Sequence, residues 1–109
     1  IQDTFKVEVG GVGITNISSE VEGYDLSQNY PNPFNPSTTI TFSIPKSEEV
    51  TLRIYNSLGQ IVQTVINGDT LSAGKYRVDF SGANLTSGIY YYTIASGTFS
   101  ETKKMLLIK

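Results

Sequence analysis

A chain of 109 residues suits one domain, large enough to bury a core without metal or disulfide staples. It has no cysteine and no histidine, which excludes disulfides, thiolate metal sites, cysteine nucleophiles and the commonest general base. Eight basic against ten acidic side chains give a formal charge of −2, without the basic excess of a nucleic-acid binder. No apolar run approaches the roughly 18 to 20 residues of a membrane helix. The chain opens on Ile1 with neither an initiator methionine nor a leader, as a processed end or an excerpt would.

In chain order, residues 4–9 (TFKVEV) alternate Phe5, Val7 and Val9 with Lys6 and Glu8, the pattern of a half-buried strand. Gly10, Gly11 and Gly13 loosen the chain beyond it. Residues 14–27 have little periodicity and carry Glu20, Glu22 and Asp25, so a linker is expected there, with a short strand near residues 14–17. This divides the chain into an N-terminal strand and linker, residues 1–25, and a main domain, residues 26–109.

The main domain opens on a rigid arm. Pro31, Pro33 and Pro36 each fix their own φ and push the preceding residue towards an extended conformation, so no helix passes through residues 29–36. Asn32 and Asn35 suit Asx-turns, and Tyr30 and Phe34 are expected as apolar anchors in an otherwise solvated segment. Ile40, Phe42 and Ile44 then take up a period of two.

Strand follows strand from there. Val50, Leu52 and Ile54 alternate with Thr51, Arg53 and Tyr55, and residues 56–59 (NSLG) have a tight-turn composition. Residues 60–66 (QIVQTVI) form the next strand, closed by a turn at Asn67-Gly68-Asp69, with another turn at residues 71–74. Tyr76, Val78 and Phe80 alternate with Lys75, Arg77 and Asp79, and Leu85 is expected to plug the core from the following turn region. Residues 89–95 pair with residues 98 onward across Ser96-Gly97. The last strand, residues 103–109 (KKMLLIK), is apolar on both faces between basic ends. Short strands at spacings of about ten residues, with Gly and Asn at the turns, define an all-β sandwich or barrel, and no crossover helices exist for a parallel α/β sheet.

The blocks YPNPFNPSTTITFSIP, VTLRIYNSLGQIV, the AGKY turn, LTSGIYYYTI and the terminal KKMLLIK together resemble the C-terminal sorting domain of type IX secretion, from about residue 26 to residue 109 and in that family's order. The resemblance implies an immunoglobulin-like antiparallel β-sandwich of about seven strands, similar to that of the flagellar hook-capping protein; the strand expected at residues 4–9 is extra to it and has no obvious partner within that fold. It also implies a place at the C-terminus of secreted proteins of Gram-negative bacteria. After transit through the periplasm, the outer-membrane secretion machinery recognises such a domain. A sortase-like peptidase then removes it or exchanges it for a lipopolysaccharide anchor, so the protein ends secreted or on the cell surface. Carried onto this chain, recognition falls on Lys103, Lys104, Met105, Leu106, Leu107, Ile108 and Lys109, and cleavage within residues 14–27. A cargo would stand before the domain, and residues 1–9 are what stands there here.

Other readings of the same residues are weaker. Pro33-Phe34-Asn35-Pro36 fits a proline-rich ligand only loosely. Tyr90, Tyr91 and Tyr92 could stack on a sugar, but alternate strand residues face opposite ways, so one or two of them are expected in the core. Lys103, Lys104 and Lys109 could simply guard an apolar strand against aggregation. Asn16-Ile17-Ser18 and Asn84-Leu85-Thr86 match the glycosylation acceptor pattern as chance would produce it. Asp69 and Asp79 lack a regular calcium-loop spacing, and the adjacent Glu48 and Glu49 diverge when extended. No serine or threonine sits in a nucleophile motif with a base, so the chain reads as a non-enzyme without cofactor or metal.

Two functions of different class follow. One is a targeting module that displays its last strand and basic ends to an outer-membrane translocon. The other is a filament subunit, a homo-oligomer in which Phe5, Val7 and Val9 add as a strand to a neighbour's open sheet edge.

Overall fold

The computed structural model describes residues 8–9 and 12–109 of the protein. Among these described residues nine strands run in order: β1 (Glu8–Val9), β2 (Val12–Ser18), β3 (Asp25–Leu26), β4 (Ser37–Ile44), β5 (Glu48–Asn56), β6 (Ile61–Leu71), β7 (Gly74–Ser81), β8 (Gly88–Ser96) and β9 (Phe99–Leu107). They form a five-stranded sheet in the order β1-β2-β7-β4-β3 and a four-stranded sheet in the order β6-β5-β8-β9. Neighbouring strands in both sheets are antiparallel, giving the expected antiparallel β-sandwich.

The period of two seen in the sequence decides which side chains fill the interior. In β7, Tyr76, Val78 and Phe80 are buried while Lys75, Arg77, Asp79 and Ser81 are exposed. Ile40 and Phe42 of β4 and Val78 of β7 face Leu52 and Ile54 of β5 and Tyr92 and Ile94 of β8, all fully buried. Phe42 stacks on Tyr76 at a centroid distance of 5.4 Å. Leu85 is half-buried and packs against this core, and Tyr90 and Tyr92 point inward while Tyr91 does not.

Four local expectations are corrected. Residues 12–18 are a seven-residue strand pairing with β7, where a linker with a shorter strand was expected. Among its described side chains only Ile14 is buried, and the register shifts between Asn16 and Ser18, so the segment carries no readable alternation. Asn67-Gly68-Asp69 is no chain reversal. β6 runs through it, and Gly68, with φ 71°, is the extra residue of a bulge between the pairs Val50–Asp69 and Thr51–Asn67. Asn-Gly supplies a positive φ, and a bulge uses that as readily as a turn does. The β8–β9 hairpin reverses at Gly97-Thr98, one residue later than expected, because Ser96 still pairs with Phe99. Finally, residues 103–107 are the second half of the nine-residue β9.

The proline arm also differs from expectation, because it is packed onto the sandwich. Tyr30, expected as an anchor, is 80% exposed, whereas Phe34 is 1% exposed. The arm leaves the five-stranded sheet where Tyr30 and Thr39 exchange main-chain hydrogen bonds of 3.0 and 2.9 Å. The buried Asn29 amide donates to Thr38 Oγ1 at 3.0 Å and to the Pro31 carbonyl at 3.2 Å, and the Thr38 hydroxyl donates to that carbonyl at 2.8 Å. The arm then crosses to the four-stranded sheet, where Phe34 bridges Leu107 in parallel.

Candidate functional site

β9 is an edge strand, and its two halves are treated differently. The ladder with β8 uses one set of main-chain groups, and those of Lys104, Leu106 and Ile108 face the free edge. The arm occupies them in succession. Gln28 Nε2 donates to the Lys104 carbonyl at 2.7 Å, and Leu106 N–H donates to Asn32 Oδ1 at 3.0 Å. Phe34 N–H donates to the Leu106 carbonyl at 2.9 Å, and Ile108 N–H donates to the Phe34 carbonyl at 3.0 Å. Asn32 thus serves the edge of β9, a role its reading as an Asx-turn residue missed.

The chain end is fastened as well. Lys109 N–H donates to Ser87 Oγ at 2.9 Å, and Lys109 Nζ donates to the carbonyls of Ala83 and Leu85 at 2.7 and 2.8 Å. The first half of β9 lacks an arm. By the same alternation, Ser100 and Thr102 turn their main-chain groups to the open edge. There Glu101 and Lys103 lie on the inward-facing side of the strand and pair at 3.2 Å. Inward charges on an edge strand discourage another strand from adding to it.

The seven residues expected to carry recognition therefore separate by face. Met105 and Leu107 are 1% and 0% exposed and belong to the core. Lys103 is paired with Glu101, and the Lys109 amine is engaged by the 83–85 turn. Lys104, Leu106 and Ile108 remain on the outer face, with Ile108 49% exposed. A recess of about 180 Å³ lined by Asn32, Ile89, Lys104, Met105 and Leu106 opens beside them.

The other end of β9 is held by a second polar hub. Tyr24 stacks on Phe99 at 4.9 Å with ring planes 9° apart, and its hydroxyl donates to Glu48 Oε1. That hydrogen bond to a carboxylate, with burial and the Glu48 charge adding to it, raises the Tyr24 hydroxyl pKa. Ser96 Oγ donates to the same carboxylate oxygen at 3.3 Å, so Glu48 ties the start of β5 to the β8–β9 turn. Glu49 is exposed, so the two carboxylates do diverge.

Asp69 and Asp79 stand on different sheets, and among the described residues no three His, Cys, Asp or Glu side chains group as metal ligands. Of the expected strand donor, Phe5 and Val7 lie outside the described residues. Val9 pairs with Val12 of its own chain in the β1–β2 hairpin.

The arm thus closes the second half of the β9 edge, and the Glu101–Lys103 pair stands on the half it leaves open. The sequence model of the family described as the secretion system C-terminal sorting domain matches residues 28–109. The chain belongs to this family, the sorting domains of type IX secretion, so the protein that carries it is exported, to be secreted or attached to the cell surface, and engages the secretion machinery. No curated protein matches the chain. The family match begins at Gln28, so β1, β2 and β3 lie outside it although all three belong to the five-stranded sheet.

Proposed function

We propose that this domain, without chemistry of its own, hands its protein to the outer-membrane secretion machinery through the solvent-facing side of its terminal segment: Lys104 and Leu106 of β9 and Ile108 just beyond it. The observation that carries this reading is the division of the terminal segment by face. Lys103, Met105, Leu107 and Lys109 hold the strand in place, and the remaining three side chains are free to be read. The absence of histidine and cysteine from the sequence supports a non-catalytic role. On the same reading the protein passes through the periplasm. A sortase-like peptidase then acts at residues 19–24, the loop between β2 and β3 within the expected 14–27 window, where Ser19, Glu20 and Glu22 are exposed.

Deleting residues 103–109 is a poor test, because it removes two core side chains along with the signal. The substitutions Lys104→Glu, Leu106→Thr and Ile108→Thr, combined in one variant, leave the core intact. Fused behind a reporter in a bacterium with this secretion system, the folded triple variant should hold the reporter in the periplasm. Export at the parent level, with an unchanged melting curve, would refute the proposal.

A further inference from the structure

The outer face of the four-stranded sheet continues the surface of β9 onto two more strands. Ile89 of β8 stands opposite Leu106, and Tyr91 stands opposite Lys104. Tyr55 of β5 stands opposite Tyr91, and Arg53 lies one residue pair away, opposite Thr93. Ile89 is 42% exposed, and Tyr55, Tyr91 and Leu106 are each half-buried. An antiparallel sheet facing water is ordinarily polar on that side. Here the part beside the arm is aliphatic and aromatic, and the recess between Asn32, Ile89 and Leu106 opens onto it.

Two cations stand in this patch without a carboxylate partner among the described residues. The ion pairs among the described residues are Lys46–Glu48, Arg77–Asp79 and Lys103–Glu101, and none involves Arg53 or Lys104. Arg53 Nε is shielded from water and donates to no acceptor among the described residues. The chain as a whole is acidic, at −2, so an unpaired basic patch on an apolar ground runs against its average charge.

We infer that Ile89, Leu106, Tyr91 and Tyr55, with Arg53 and Lys104, form one docking face for a protein component of the secretion machinery that presents carboxylates among apolar side chains. The inference rests on the reading of this chain as a sorting domain, and it extends the recognition surface to β8 and β5. Aromatic side chains and arginine are the groups that dominate protein interfaces. A second copy of this chain fits worse, because self-docking sets Arg53 and Lys104 against their own kind. An anionic lipid surface also fits worse, since lipid-binding patches gather about four to eight basic residues.

The test uses the full chain fused behind a reporter in a host with the secretion system, alongside the purified chain. Ile89→Thr with Tyr91→Thr, and separately Arg53→Glu, should each lower the exported fraction at least about tenfold, the size of a hot-spot loss. Arg53→Lys should restore most of it, and Ile17→Thr, equally exposed on the other sheet, should change nothing. Melting curves establish that each variant is folded. Parent-level export of the folded Ile89/Tyr91 and Arg53→Glu variants, while the Lys104/Leu106/Ile108 variant is retained, would overturn the inference and leave the proposed function standing. Parent-level export of the β9 variant alone would instead strike the proposed function. Dimerisation of the purified chain that disappears with Tyr91→Thr would overturn the inference in favour of a second copy. Binding to phosphatidylglycerol vesicles that disappears with Arg53→Glu would do so in favour of a lipid.

Discussion

Phe34 and Leu107 lie side by side as a parallel bridge, both buried, with the Phe34 main chain bonded to Leu106 on one side and Ile108 on the other. The Phe34 ring meets Phe80 edge-on at 6.3 Å, and Gly82, whose N–H donates to the Pro36 carbonyl at 2.7 Å, leaves room for both side chains. A Cβ on Gly82 would come within 3.0 Å of Leu107 and 3.3 Å of Phe34. The arm is thus a clamp on the strand that closes the sandwich, and its apolar plug is what seats it.

Replacing that plug should release the strand. Phe34→Ala removes a fully buried ring and should cost about 3 to 5 kcal/mol of stability, measured by urea unfolding. Hydrogen exchange should also show the Leu106 and Ile108 amides losing protection ahead of the β8 amides. Loss of stability with uniform protection across β8 and β9 would argue against a local clamp.

β2 is joined to the domain by more than its covalent link. It pairs with β7 and buries Ile14, while Ser19, Glu20 and Glu22 in the loop of residues 19–24 are exposed. A single cut in that loop should therefore leave the N-terminal fragment bound, the two pieces coeluting in gel filtration and separating only in denaturant. Gly74→Ala should weaken this association, because the new Cβ would lie 2.6 Å from Asn16 Nδ2 and 2.7 Å from the Ser18 carbonyl. Separation of the wild-type fragments without denaturant would show that the ladder alone does not hold them.

Tyr92 sets an alkaline limit on stability. Burial pushes its hydroxyl up to about 12, opposed by the Asn29 backbone and helped by the Glu101 charge, and the hydroxyl donates to the Ser27 carbonyl at 2.6 Å. An unfolded tyrosine titrates near pH ~10. Since the folded value is the higher one, this contribution is complete below pH ~10 and is lost as pH rises towards ~12. Tyr92→Phe should cost about 1 kcal/mol near neutrality, through the lost hydrogen bond. Its melting temperature should also fall less steeply than the parent's between pH 10 and 11.5. Parallel curves for the two proteins would contradict the assignment.

The Glu101–Lys103 pair should matter for solubility more than for stability. Its side chains are 37% and 30% exposed, and such pairs contribute under about 1 kcal/mol. Glu101→Val with Lys103→Val should leave the melting temperature nearly unchanged. Light scattering at high concentration should rise, because the open half of β9 loses its inward charges. A variant that stays monomeric would assign edge protection elsewhere, β6 with its three register shifts being the next candidate.

Alternation alone determined much of this protein. Tyr76, Val78 and Phe80 set against Lys75, Arg77 and Asp79 specify a strand with one dry face, and the missing histidine and cysteine narrow the chemistry before any fold is known. The order of short blocks from YPNPF to KKMLLIK was enough to point to the family that residues 28–109 match.

Periodicity also put one or two of Tyr90, Tyr91 and Tyr92 in the core, yet it could not say what lies beyond the edge of a strand. Asn32 and Leu106 are 74 positions apart, and no local pattern announces that one supplies an acceptor to the other. For the same reason the arm read as solvated, because proline and asparagine carry the same local signature whether they meet water or a strand edge. The uniformly apolar stretch from Met105 to Ile108 likewise concealed its division into two buried and two outward side chains. Only the packing of one sheet on the other assigns its faces, since a strand's own dihedrals treat both alike.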